Sequence, residues 1–159
     1  MTKINLTLRR YQAEDNAALS RIWRQASERA HPFFTPEQLD EQQRQVADIY
    51  LPQAETWVAL RGATPLGFIG LLPDEVRERS EGGQGAFIGG LFVAPEAQGQ
   101  GVGRALIAHA RSLKSHLALE VYTANPGARA FYARLGFRET GRREMDDNGL
   151  PFPLIRLEL

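Results

Sequence analysis

An apolar run, Ala86-Phe-Ile-Gly-Gly-Leu-Phe-Val-Ala94, meets Pro95 and then the alternating glycines Gly99, Gly101 and Gly103, before a stretch of good helix formers. A half-buried strand alternates apolar and polar residues; unbroken apolar character predicts a strand buried on both faces. Pro95 stops it, and a helix is predicted from about Gly101 to Lys114. A buried strand feeding a helix in this way requires a sheet with helices packed on its faces. Glycines at such a junction free the backbone for φ angles that side chains disfavour. They also let successive N–H groups converge at the positive end of the helix, which suits an anion such as a pyrophosphate.

The rest of the chain fits that architecture. Ile4, Leu6 and Leu8 alternate with polar neighbours and predict a strand. From Asp15 to Ala30 apolar residues recur at three and four, the pattern of an amphipathic helix. Thr35 is a natural N-cap and Pro36 a natural first residue for a second helix reaching about Tyr50. "TWVALR" and "PLGFIGLL" predict two strands joined by "GATP", and the charged, glycine-rich "PDEVRERSEGGQG" predicts a mobile loop. "LALEVYT" predicts a strand. "NPGARAFYARLGF" predicts a helix capped by Asn125 and closed by Gly136, and the remainder two strands around Asp147-Asn148-Gly149.

Composition removes several function classes. Nineteen Lys and Arg balance nineteen Asp and Glu, which argues against a broad basic face for nucleic acid. Without cysteine there is no disulfide frame, thiolate metal site or thiol nucleophile, and three scattered histidines do not make a metal site. His109 and His116 are expected at the surface. No apolar run reaches the ~18–20 residues of a membrane span, and "MTKINLTLRRY" lacks a signal-peptide core, so the expected location is cytoplasmic.

Three phosphate-binding patterns compete for the glycines. A P-loop requires Gly-Lys-Ser/Thr, yet no lysine stands between Lys3 and Lys114. A dinucleotide fingerprint needs G-x-G-x-x-G, and counting from Gly99 or Gly101 puts Arg104 or Leu106 at its last glycine. The remaining pattern is Gln98-Gly99-Gln100-Gly101-Val102-Gly103, a Q-x-x-G-x-G.

With this motif following Leu91-Phe92-Val93, the sequence resembles the GNAT acetyltransferase superfamily. The resemblance extends through Asn125, Phe131-Tyr132 and Gly136-Phe137, covering Phe87 to Gly141, and "HPFF" and "DDNGLPFPL" look like small bacterial members regarded as protein-lysine acetyltransferases. It implies an α/β (α+β) GNAT fold: a mixed, mostly antiparallel seven-stranded sheet, splayed between strands 4 and 5, flanked by about four helices in one domain, 1–159. It further implies an acetyl-CoA-dependent N-acetyltransferase, acting by direct attack of a primary amine in a ternary complex, with no metal. Acetyl-CoA would be held by Leu91, Phe92, Val93, Gln98, Gly99, Gln100, Gly101, Val102, Gly103, Arg104, Asn125 and Tyr132. The Leu91 N–H would polarise the thioester carbonyl.

Tyr132 matches the family tyrosine that protonates the leaving thiolate. It also lies off the apolar stripe of Ala128, Phe131 and Leu135, so the core does not require it. Asn125 would bond the pantetheine or order a water while capping its helix. The family's strand glutamate has no counterpart, since no carboxylate stands between Gln84 and Pro95; a water chain, or Glu28, His31 or Glu120, then takes the amine proton. His31, Phe33, Phe34 and Phe87 are expected to line an aromatic entrance for a lysine stem or an apolar amine, with Trp23 in the core. A protein lysine or peptide amine leads; a small-molecule amine, amino acid or antibiotic, or a non-catalytic acetyl-CoA sensor, stays open. Monomer and homodimer are both compatible with the sequence.

Overall fold

A computed structural model describes residues 5–74 and 85–159. Most of the loop expected at Pro73–Gly85 therefore lies outside the described residues. Among these residues seven strands are present: β1 (Thr7–Arg10), β2 (Glu55–Arg61), β3 (Thr64–Pro73), β4 (Gly85–Val93), β5 (His116–Tyr122), β6 (Arg138–Arg143) and β7 (Leu154–Glu158). They form one open sheet in the order β1-β2-β3-β4-β5-β7-β6. Every neighbouring pair is antiparallel except β4 with β5.

Among the described residues four longer helices cover the sheet: α1 (Asn16–Ala30), α2 (Pro36–Gln45), α3 (Val102–Leu113) and α4 (Pro126–Arg134). Residues on one strand point alternately to opposite faces, and neighbouring β4 residues show which helix owns which face. The ring of Phe92 meets Trp23 of α1 at 6.2 Å, and Phe68 of β3 lies 5.6 Å from Phe92 on the same face. Val93, one residue on, lies beside Gly103 of α3. The cores of both layers are dry: Leu19 and Phe68 on one side, and Leu106 on the other, have no exposed surface.

Local chemistry explains the helix boundaries. Thr35 Oγ1 accepts from the Gln38 N–H at 3.1 Å while Gln38 Oε1 accepts from the Thr35 N–H at 2.9 Å, a reciprocal cap that starts α2. α2 then runs on through a π-helical turn, Val46–Tyr50, and a last α-turn, Leu51–Gln53. Asn125 Oδ1 accepts from the Ala128 N–H at 3.2 Å and starts α4. The closing hairpin turns on Asp146, whose Oδ1 accepts from the N–H groups of Asn148 (3.0 Å) and Leu150 (2.9 Å).

Three expectations are corrected. β4 is not buried throughout: Gly89 is exposed, and Leu91, Phe92 and Val93 are half-buried, because the sheet opens beside them. His116 is not a surface residue; its side chain is 11% exposed, with Nε2 2.9 Å from the Glu158 carboxylate. His109 is half-buried against Trp57, ring centroids 4.3 Å apart.

Candidate active site

β4 and β5 pair only from Gly85↔His116 to Ile88↔Leu119. Beyond that point β4 stays with β3, β5 stays with β7, and the two parallel strands separate. The β4–β3 ladder also shifts register at Gly70/Leu71, leaving Gly89 as the extra residue of a bulge. From Gly89 to Val93 the β4 backbone edge facing β5 is thus free of strand partners, and it faces a cleft of about 840 Å³. The floor is β4 and β5, with α1 on one side and α3 and α4 on the other.

The cleft ends at the N-terminus of α3. Gly99 (φ +79°) and Gly101 (φ +86°) are both in the left-handed region, and a Cβ on either would meet nothing within 4 Å. These glycines are required for conformation rather than for space. No described side chain caps α3, so its first N–H groups face the loop, with the helix dipole behind them. Gln98 folds back and donates to the Val93 carbonyl at 3.3 Å, closing the loop. Gln100 turns away from the cleft: it accepts from Arg61 at 2.6 Å and donates to the Glu96 carbonyl at 3.2 Å. Val102 is buried, so only its backbone can serve a ligand. Gly103 packs on Phe131, and the exposed Arg104 lies at the cleft margin.

Tyr132 is the buried residue of α4, 7% exposed, and its ring stacks edge-on to Phe131 (5.1 Å) and Phe137 (5.3 Å). The sequence stripe placed Ala128, Phe131 and Leu135 inward, yet these are only half-buried; α4 is turned so that Tyr132 points beneath it into the cleft wall. Burial raises the Tyr132 pKa, so the phenol keeps its proton at neutral pH. Asn125 both caps α4 and reaches the cleft, its Nδ2 lying 3.4 Å from His31 Nε2.

A second, smaller cavity of about 290 Å³ adjoins the first and shares its Gly89, Phe92, Glu120 and Tyr122 wall. Phe87 lines this smaller space. Phe33 and Phe34 line neither cavity: with Tyr122 and Phe152 they form an aromatic cluster, ring centroids 4.8–5.4 Å apart, that ties the α1–α2 loop to the β7 end. Trp23 is 6% exposed, as a core residue should be, yet borders both spaces. Glu120 is gripped by Arg143 through two hydrogen bonds, 2.7 and 2.8 Å. Glu28 stays at the surface, paired with Arg24. Among the described residues no cluster of three or more metal-ligating side chains is present, and no helix is long and apolar enough to cross a membrane.

A splayed parallel pair opening onto an uncapped, glycine-led helix is a site for an extended, phosphate-bearing molecule. The sequence profile of the Acetyltransferase (GNAT) family matches residues 18–137, spanning α1 to the end of α4. The chain belongs to the GNAT acetyltransferase family. It is an N-acetyltransferase, and acetyl-CoA is its acyl donor. This GNAT enzyme is 35% identical over 153 residues to the peptidyl-lysine N-acetyltransferase YjaB of Salmonella typhimurium, covering 96% of this chain and 97% of that protein. It is 30% identical over 144 residues to the peptidyl-lysine N-acetyltransferase YiaC of Escherichia coli, covering 91% of each. The solution structure of apo-form YjaB from Escherichia coli matches with a TM-score of 0.82 at 35% identity over 97% of both chains. PaiA N-acetyltransferase from Thermoplasma acidophilum, solved in complex with coenzyme A, shares the fold at TM-score 0.75 and 16% identity, over 96% of this chain and 98% of that one.

Three residues of this GNAT site were missed from sequence. Tyr50 donates to the Gly70 carbonyl at 3.0 Å and fills the space above Gly70 and Gly89. Ser27 Oγ and Gln42 Nε2 are buried in the cleft wall without a hydrogen-bond partner among the described residues. A signal existed: Leu39, Gln42, Val46 and Tyr50 fall at helical spacing on one face, a stripe with a glutamine in it.

Proposed function

We propose that this acetyltransferase moves the acetyl group of acetyl-CoA to the ε-amine of a lysine in a peptide or protein, by direct attack in a ternary complex. The observation that carries the reading is the splay after Ile88 and Leu119, which leaves the Gly89–Val93 backbone unpaired and leads to the uncapped N-terminus of α3. The full-length similarity to two peptidyl-lysine N-acetyltransferases supports lysine as the acceptor.

In this reading the backbone of Leu91 and Val93 pairs with the pantetheine arm, and the Leu91 N–H stabilises the negative charge that develops on the thioester oxygen. The N–H groups from Gly99 to Arg104 hold the pyrophosphate, with Gln98 keeping their loop closed. Asn125 orders the arm where the strands part. Tyr132, held neutral by burial, donates its proton to the departing thiolate. The attacking amine must be neutral, and its proton leaves toward Glu120, the one described carboxylate that borders both cavities. The acceptor enters through the smaller cavity, beside Phe87 and Tyr122. Residues 1–159 act as one domain, in the cytoplasm.

The test is acetyl-CoA-dependent thiol release over lysine peptides, N-terminal peptides, polyamines, amino acids and aminoglycosides. Turnover confined to lysine peptides is expected. Turnover confined to a small amine overturns the acceptor, and a CoA-induced rise in melting temperature with no turnover on any amine replaces the enzyme with a sensor.

A further inference from the structure

The inward stripe of α2 contains one residue of the wrong kind. Leu39, Val46 and Tyr50 pack against the core, and Gln42 stands between them at the same helical spacing. A polar side chain at an inward position requires a partner, since a buried donor left unpaired has given up its water and gained nothing in return. Gln42 Nε2 is buried and has no partner among the described residues. Its neighbour Gln43, by contrast, is satisfied, donating to the Ser20 carbonyl at 3.3 Å.

Gln42 borders both cavities, at their shared wall beside Gly89. The carboxylates of the smaller cavity are already engaged. Glu120 is held at both oxygens by Arg143, which also pairs with Asp147 at 3.1 Å. Asp146 accepts from two turn N–H groups and, at 3.2 Å, from the Tyr122 hydroxyl. Gln42 Nε2 adds to this wall a neutral donor without a partner, and the complement of such a donor is an uncharged oxygen.

We infer that Gln42 is a specificity-determining residue whose Nε2–H donates to a main-chain carbonyl oxygen of the lysine-bearing acceptor, so that the enzyme recognises the peptide unit and not the amine alone. The inference rests on the lysine reading above and adds the group that separates a peptide lysine from a polyamine. A polyamine carries no oxygen and would leave Gln42 unpaired on binding.

The experiment compares two acceptors, Nα-acetyl-lysine methylamide and n-hexylamine, in steady-state kinetics with wild type, Gln42→Leu and Gln42→Met. Both variants keep a helix-forming residue and remove the side-chain amide, donor and acceptor together, and their melting temperatures are expected at or above wild type. The expected result is a roughly tenfold higher KM for the lysine amide in both variants, the size of one lost hydrogen bond. Both kcat and the KM for acetyl-CoA should stay within about twofold, the resolution of such a split. The kcat/KM for hexylamine, low throughout, should not change. Equal amide KM in wild type and variants overturns the proposal, as does an equal loss for hexylamine, or a fall in kcat alone. Silence of the wild type with both amines overturns the lysine reading beneath it.

Discussion

His31 Nε2 lies 3.4 Å from Asn125 Nδ2, joining the C-terminal cap of α1 to the N-terminal cap of α4 across the cleft. Around the imidazole stand Tyr122 at 5.0 Å, Phe33 at 5.6 Å and Phe34 at 6.0 Å, centroid to centroid. Burial among these rings pushes the His31 pKa down to about 4, so the native ring is neutral and accepts from the Asn125 amide.

A pH dependence follows from that contact. The unfolded chain protonates His31 below about pH 6.5, while the folded chain resists until about pH 4. Between those values the unfolded state binds more protons, so stability is complete above the window and falls as pH drops through it. The loss from this residue is on the order of 3 kcal/mol by pH 4. Urea midpoints at pH 7, 6, 5 and 4 are expected to fall more steeply for wild type than for His31→Gln. Parallel curves would remove His31 from the acid response.

Tyr132 is expected to act on turnover and not on donor binding. Its ring is anchored by Phe131 and Phe137, which Tyr132→Phe leaves in place. Loss of the hydroxyl should lower kcat by about 10²-fold, the lower range for a positioned proton donor, with acetyl-CoA affinity and melting temperature unchanged. An unchanged kcat would exclude Tyr132 as the acid.

Why the sequence foretold the strand–loop–helix and not its surroundings is visible in these same residues. Gly99 and Gly101 stand out in any reading because positive φ is a backbone demand that glycine alone meets cheaply. The capped starts of α2 and α4 are equally local, each closed within four residues. Burial is not local. Tyr132 lies off the apolar stripe of its own helix, and only the seat of α4 on the splayed sheet turns it inward. Phe33 and Phe34 follow an exposed proline, which reads as an entrance; the partners that fold them away, Tyr122 and Phe152, lie about ninety and a hundred and twenty residues later in the chain. Tyr50 and Gln42 needed the register of the β3–β4 bulge, which brings Gly89 under α2, before their position had meaning.

That bulge and Tyr50 depend on each other. A Cβ on Gly70 would come within 2.1 Å of the Tyr50 hydroxyl, and one on Gly89 within 2.5 Å, so the ring occupies space that two glycines vacate. Gly89→Ala should cost about 1–3 kcal/mol, as overpacking of a fitted core does. In a Tyr50→Ala background the same change should cost close to nothing, because the atoms it meets are gone. Denaturant titrations of the four proteins close the cycle, and additive losses would show that Gly89 is needed for some reason other than the ring.

Gly101 separates conformation from contact at the anion site. Its φ of +86° and the open space around its missing Cβ mean that alanine there meets no neighbour, yet must adopt a left-handed backbone. That strain is about 1–2 kcal/mol. Where the loop yields to it, the N–H groups at the start of α3 no longer converge, and the dissociation constant for CoA should rise about tenfold. Gly101→Asn should fall between wild type and Gly101→Ala, since asparagine tolerates the left-handed region better than alanine. Calorimetric titration of CoA into the three proteins distinguishes the cases. The order Gly, Asn, Ala in weakening affinity places the requirement in the backbone angle, whereas three equal affinities would show that the α3 N-terminus does not hold the phosphates.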